Sequence, residues 1–369
     1  MKFTVTRNSL LSELNLVQGV IDKKSTTPIL SNILMEAEGE HLHITASDGD
    51  VTIQCGCPVA VMDEGATTIA ARRLFDIVRL LPENAEIEMS LLENNWVDLR
   101  SGNSHYKIVA VPKDDYPSIP DATPAIASIP GSLIEKMVLR TMFAITQEDS
   151  RYSLNGSLLV LRPDAVQMVA TDGHRLALVS KNMDIPGIEE EVKSLIPRKT
   201  LTEILKLASG QDVIVEFGRS DNHLFFSTGN KRLVSRILSG QFPNYELVIP
   251  RDNDKLVVIG TKAFSDGIRR AAVMSDERLK SIKLLFSAGE LVISATNIDA
   301  GESREVVPIE FEGEKLSIGF NSQYLLDFVS VCGADSISIA IKNSDAQGLF
   351  RPVGADDLDY RYIVMPMNV

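Results

Sequence analysis

The sequence predicts an α+β protein in which one unit, two helices against antiparallel sheets, is used three times. Three observations carry that reading. The stretch Val169–Leu178, V-A-T-D-G-H-R-L-A-L, has cousins at His41–Asp50, H-L-H-I-T-A-S-D-G-D, and at Glu290–Asp299, E-L-V-I-S-A-T-N-I-D. The matching residues Asp48, Asp172 and Asn297 stand 124 and 125 residues apart, and one third of the 369-residue chain is 123. Each third then runs in the same order: a strand, a helix, several short alternating strands, a second helix, more strands. Finally, the Pro- and Asp-rich stretches Pro112–Pro124 and Ile249–Lys255 fall where the thirds meet and read as exposed connectors. The expected domains are 1–120, 127–250 and 254–369.

Taken in order, Lys2–Thr6 alternates as a strand. Ser9–Val20 is a helix, with Leu10, Leu11, Leu14 and Val17 at helical spacing and Ser9 placed to cap it. Short strands lead to Ile69. A second helix, Ala71–Leu81, is stopped by Pro82, and strands close the third at Tyr106–Val111. The middle third repeats this with a strand at Ile126–Ile129, a helix at Gly131–Phe143, and strands through Thr171-Asp172-Gly173. Its second helix, Pro197–Ala208, has Pro197 in the first turn, and strands follow at Val213–Phe217, Leu224–Ser227 and Val234–Leu238. The last third has a strand at Leu256–Ile259, a helix at Thr261–Val273, strands at Ile282–Phe286 and Leu291–Ala295, a helix at Asn321–Cys332 capped by Asn321, and a final strand at Tyr360–Met365. The total is six helices and roughly two dozen strands. Asp-Gly between apolar runs predicts a tight type I′ hairpin, with positive φ at both central residues.

A hydrophobic content of 44 % and a charged content of 24 % are those of a soluble globular protein. No run of eighteen apolar residues occurs, so no membrane span is expected. The N-terminus lacks the apolar core of a signal peptide. Three cysteines make no disulfide framework and suggest a reducing, cytoplasmic setting. Cys55-Gly56-Cys57 has no second pair to complete a zinc site, so the thiols read as strand residues, with no metal and no cofactor. No P-loop, dinucleotide-binding glycine pattern or H-E-x-x-H is present. His174 invites a catalytic reading, being two residues from Asp172, but no nucleophile-elbow pattern accompanies it. The chain is expected not to be an enzyme, with His174 bonding backbone or lining a groove. Turn chemistry accounts for Asp48 and Asp50 without a cation.

The net charge of −13 argues, taken whole, against a polyanionic partner. Its distribution argues otherwise. The six predicted helices together carry +5, which leaves −18 on the rest. The helix cations include Arg72, Arg73, Arg79, Lys136, Arg140, Arg198, Lys199, Lys206, Arg269 and Arg270. They are either ordinary solvated faces or a shared surface that attracts a polyanion. The apolar ending Ile363-Val364-Met365-Pro366-Met367 is likewise open to two readings: a last strand buried in its own domain, or an adaptable methionine-lined binding surface.

The residues also carry a resemblance that runs end to end. M-K-F-T-V at the start, Thr27-Pro28-Ile29-Leu30, Gly65-Ala66-Thr67-Thr68 and Arg151-Tyr152-Ser153-Leu154-Asn155-Gly156 belong to it. So do Ala170-Thr171-Asp172-Gly173-His174-Arg175-Leu176-Ala177, Phe242-Pro243-Asn244-Tyr245, Gly319-Phe320-Asn321 and the terminal Val364-Met365-Pro366-Met367. The chain resembles the bacterial β sliding clamps, the beta subunits of DNA polymerase III. The resemblance implies three domains of the DNA-clamp fold and a head-to-tail homodimer closed as a ring. Duplex DNA would pass through it without sequence readout, with helices lining the channel. It adds Lys24, Arg151 and Tyr152 to the DNA-contacting positions. It also implies a groove for short extended motifs, formed by Leu154, Thr171, Gly173, His174, Arg175, Leu176, Pro243, Val248, Gly348, Val364, Met365, Pro366 and Met367. The implied owners of those motifs are the replicative polymerase alpha subunit, the clamp-loader delta subunit, other DNA polymerases and mismatch-repair proteins. The chain departs from the family pattern at Ser153, where an aromatic residue is often found, and at Leu247 and Asn368, where basic residues occur. A less positive groove rim is the expected consequence.

Overall fold

The computed structural model describes residues 1–21, 27–148, 150–210, 212–354 and 356–368. Among them are six α-helices: α1 (Arg7–Val17), α2 (Ala71–Leu80), α3 (Gly131–Thr141), α4 (Arg198–Leu207), α5 (Thr261–Ala272) and α6 (Ser322–Val331). The described residues also form 25 strands, and every strand pairing is antiparallel. The helices match the apolar spacing of the sequence, with ends one to three residues inside the expected bounds. α1 is the exception at its start. Its cap is Thr6, whose side chain accepts from the Ser9 amide, so the helix begins at Arg7 rather than Ser9. Asn321 caps α6 as expected, accepting from the amides of Gln323 and Tyr324.

The chain folds as two compact units, Met1–Glu135 with Lys199–Ile237 and Lys136–Arg198 with Leu238–Val369. They do not coincide with the repeats, because the sheets continue from one repeat into the next. In the first unit Val51–Pro58 of the first repeat pairs with Lys231–Arg236 of the second, within a 13-stranded sheet. In the second unit Arg175–Asn182 of the second repeat pairs with Asp359–Val364 of the third, within an 8-stranded sheet. The second unit also holds a 4-stranded sheet that ends on Gly301–Pro308. Its core is aromatic: Phe328 of α6 stacks on Tyr362 with ring centroids 5.1 Å apart, and Phe350 and Tyr360 pack beside them. The two buried tyrosines keep their hydroxyls satisfied, Tyr360 donating to the Arg140 carbonyl and Tyr362 to that of Tyr324.

The recurring turn is not type I′. Positive φ occurs only at Gly49 (+96°) and Gly173 (+91°), and pairing resumes at Ser47 with Thr52 and at Thr171 with Leu176. The turns are therefore four residues long and are built on an Asp side chain. Asp48 Oδ1 accepts from the amides of Asp50 and Val51, and Asp172 Oδ1 from those of His174 and Arg175. In the third repeat Asn297 Oδ1 accepts from the Asp299 amide, and pairing runs past Thr296 with Glu302 to Asn297 with Gly301, so that only residues 298–300 form the loop.

Candidate functional site

The hairpin that carries the middle turn forms one wall of a cavity of about 150 Å³ in the second unit. Nine of the residues that the resemblance implied line it: Leu154, Thr171, Gly173, His174, Arg175, Leu176, Pro243, Val248 and Met365. Tyr245 and Ile363 line it too. Beneath lies an apolar cluster that includes Leu158, Val169, Leu176, Tyr245 and Ile363, so the floor is rigid. Tyr245 is fixed by a 2.7 Å hydrogen bond from its hydroxyl to Gln167, and burial pushes its phenol pKa up.

Ile363 was legible from strand period. Side chains alternate along Asp359–Val364, so Ile363 and Met365 share a face and Val364 points to the other. Val364 is accordingly fully buried away from the cavity. Gly348, which pairs with Val364, also lies off the cavity: a Cβ there would stand 2.8 Å from Phe320 and 2.9 Å from Phe350. Its role is close packing under the aromatic core. Pro366 and Met367 are half-buried and do not line the cavity, because the Met367 amide donates to Gly319 of the four-stranded sheet at 2.9 Å. The chain end thus meets both sequence readings, a buried last strand and a methionine on the cavity.

The polar groups around the cavity are already engaged. Thr171 Oγ1 donates to the Arg175 carbonyl at 2.6 Å and accepts from the Gly173 amide. The His174 carbonyl accepts from the Met365 amide at 2.9 Å, which ties the hairpin to the final strand. The His174 ring makes no hydrogen bond among the described residues, and Asp172 is spent on backbone amides and Arg175. No catalytic relay is assembled there. What remains open is carbon surface, suited to an apolar side chain on an extended segment. Leu247 is 83 % exposed and Asn368 is exposed, so neither supplies positive charge. Ser153 packs against Gly240, whose Cβ position is 3.2 Å from the Ser153 Cβ, while Tyr152 beside it is 68 % exposed.

The helix cations divide. Arg72, Arg73 and Arg269 are exposed and make no hydrogen bond or ion pair among the described residues. Arg79 pairs with Asp76 at 3.3 Å, Lys136 with Asp356 at 3.4 Å, Lys206 with Glu203 at 2.8 Å and Arg270 with Glu305 at 2.8 Å. Lys199 bonds Asp48 and the Val20 carbonyl. Arg198 is half-buried. Arg140 departs from the expectation of a solvent-facing cation: it is 6 % exposed, pairs with Asp356 at 2.9 Å and stacks on Tyr360. Arg151 is exposed but donates to the Asp172 carbonyl at 2.9 Å. Lys24 lies outside the described residues. Cys55 and Cys57 are buried, and burial pushes the Cys57 thiol up to about 11, away from nucleophilic chemistry.

A thrice-used unit of helices on antiparallel sheets, with a polyanion-compatible cation set and an apolar groove, defines a repeat-built binding scaffold of the DNA-clamp class. Three family models cover the chain: the N-terminal domain of DNA polymerase III beta subunit over residues 1–120, its central domain over 128–244 and its C-terminal domain over 246–368. The chain is similar to the beta sliding clamps of Pseudomonas aeruginosa, 35 % identical, and Pseudomonas putida, 34 % identical, over all of both chains in each case. Among solved structures, the DNA polymerase III subunit beta from Pseudomonas aeruginosa superposes with a TM-score of 0.95 at 35 % identity, covering all of both chains. The Caulobacter crescentus beta sliding clamp does so at 0.94 and 30 % identity, covering all of this chain and 99 % of that one. The chain belongs to the DNA polymerase III beta subunit family, the bacterial sliding clamps. Its function is that of a DNA sliding clamp, a processivity factor and not an enzyme.

Proposed function

We propose that two copies of the chain close head to tail into a ring around duplex DNA, which the ring holds without reading sequence. We further propose that the groove takes short extended motifs with leucine and phenylalanine anchors. Their owners would be the replicative polymerase alpha subunit, the clamp-loader delta subunit, other DNA polymerases and mismatch-repair proteins, all in the cytoplasm. The repeats are taken as 1–120, 127–250 and 254–369. No helix among the described residues is long and apolar enough to cross a membrane.

The observation that carries the ring is a pair of strand edges left over by the repeat. In the first two repeats the second strand of the turn-bearing hairpin pairs with the last strand of the following repeat. The third repeat's equivalent, Gly301–Pro308, ends its sheet. The first repeat's last strand, Ser104–Val111, pairs on that side only through Ala110 and Val111. A second copy supplies each missing partner, and a two-fold exchange pairs both of these edges. The internal seam even sets the register. The two-residue Gly102-Asn103 and Gly229-Asn230 turns align Ser104 with Lys231, and the strand pairs Ser47 with Thr52 and Thr296 with Glu302 align Glu302 with Thr52. Because Thr52 pairs with Val234, Glu302 of one copy falls opposite Lys107 of the other, an attractive cross-strand pair. Light scattering is expected to give the mass of two chains. Glu302→Lys is expected to shift it toward one chain, and adding Lys107→Glu to restore it. The ring itself is tested on DNA: the protein should stay on a closed circle and leave once the circle is cut. Equal loss from both would overturn the reading.

A further inference from the structure

The proposed peptide groove has an arginine in its wall that offers it no charge. Arg175 has a side chain only 10 % exposed, and each of its three guanidinium nitrogens donates a hydrogen bond within the protein. Nε donates to Asp172 at 3.0 Å, Nη1 to Asp327 at 2.5 Å and Nη2 to the Phe143 carbonyl at 2.7 Å. The ring of Tyr324 lies 4.2 Å beneath it. A planar fork held on three separate elements has one position. Burial works against its charge, and Tyr362, Asp327 and Asp172 outweigh burial, so the guanidinium pKa stands above its ordinary value. Asp327 is the only acid on α6, and it is held in turn by Gln323, whose Nε2 donates to Oδ1 at 2.8 Å. That single acid is why α6 carries −1 while α2, α4 and α5 are basic.

Resting on the groove reading above, we propose that Asp327 is a positioning residue for the groove and acts through Arg175. It does not itself line the cavity. It fixes Arg175, which does. Asp172 bonds that same guanidinium and builds the turn, and the His174 carbonyl in the turn receives Met365. Two walls of the cavity therefore hang on one ion pair, and a shift of an ångström there loosens both. Arg175 does not read charge on the bound segment.

The test measures binding of a labelled short peptide with leucine and phenylalanine anchors to the full chain by fluorescence polarisation. A neutral peptide and one with an added aspartate are compared. Wild-type protein must bind the neutral peptide, and if it does not, the groove reading falls before this inference is reached. Given wild-type binding, Asp327→Ala is expected to weaken both peptides about tenfold and by the same factor. Arg175→Met is expected to do likewise, and the double variant Arg175→Met with Asp327→Leu to be no weaker than Arg175→Met alone. Gln323→Ala, which leaves the Arg175–Asp327 bond in place, is expected to keep affinity within about twofold. Should the alanine variant fail to fold, Asp327→Asn carries the same comparison with volume and one acceptor retained. Wild-type affinity in the Asp327 variant overturns the inference. So do additive losses in the double variant, or a loss confined to the acidic peptide.

Discussion

The seam between the first and second repeats and the seam between the second and third are the same joint with its charges exchanged. In both, an antiparallel strand pair carries the sheet across, Val51–Gln54 against Arg232–Ser235 and Arg175–Ser180 against Asp359–Val364. In both, one oxygen of the turn aspartate takes two backbone amides. The other oxygen differs. At the first seam Asp48 receives Lys199 directly from α4. At the second, Asp172 receives Arg175 from its own hairpin, and Arg175 reaches on to Asp327 of α6. Moving the cation from helix to hairpin leaves two acids, Asp172 and Asp327, about one arginine and puts a long side chain on the hairpin face. That chain is a wall of the groove. The repeat supplies the scaffold, and one relocated charge accompanies a cavity at the second seam.

Several substitutions sharpen or break this comparison. The largest effect is expected from Phe328→Ala, which removes a fully buried ring from α6 and should cost about 3–5 kcal/mol in urea denaturation of the second unit. A first unit that unfolds in step would show that the two seams are not independent. Asp172→Ala should cost about 2 kcal/mol, since it leaves two amides and a nearly buried guanidinium short of an acceptor. Asp48→Ala should cost less, about 1 kcal/mol, because Lys199 is 39 % exposed and can return to water. Equal losses at the two turns would remove the distinction drawn between them. Lys199→Met should cost about 0.5 kcal/mol and lessen the dependence of stability on salt. The smallest effect concerns pH. Burial pushes the Asp356 carboxyl up, but the hydrogen bond and charge of Arg140 override it and hold it below the usual range. A depressed carboxylate adds stability above its unfolded pKa of about 3.9 and loses it as pH falls through the folded value. Asp356→Asn should therefore destabilise at neutral pH and converge with wild type in acid, as read by thermal midpoints across that window.

The repeat, the helices and much of the groove were legible because each rests on local pattern: apolar spacing, a polar turn residue, a motif of a few neighbours. The turn type was not, since Asp-Gly is compatible with both a two-residue loop and a four-residue loop closed by the Asp side chain, and only pairing at Ser47 and Thr171 decides. Val364 could have been set aside and Ile363 taken up by strand alternation alone. Gly348 could not, because its reason includes Phe320, on a strand distant in sequence, besides Phe350 of its own strand. Arg140 shows the limit of counting charge along a helix. Its partner Asp356 is 216 residues away, and no window on the sequence joins them.

The division among the helix cations has a further consequence. A lysine or arginine with a carboxylate beside it is already neutralised, and it displaces no cation condensed on the DNA unless that pair breaks. Of the helix cations named among the described residues, Arg72, Arg73 and Arg269 are exposed without an ion pair and are the ones expected to neutralise phosphate. In a closed pair of chains those three become six, and a plot of log affinity against log salt should slope by about −5 if each meets one phosphate. The ten helix cations named for each chain, all meeting phosphate, would give a slope several times steeper. A shallow slope suits a ring that must stay on DNA by enclosure while gripping it weakly enough to travel.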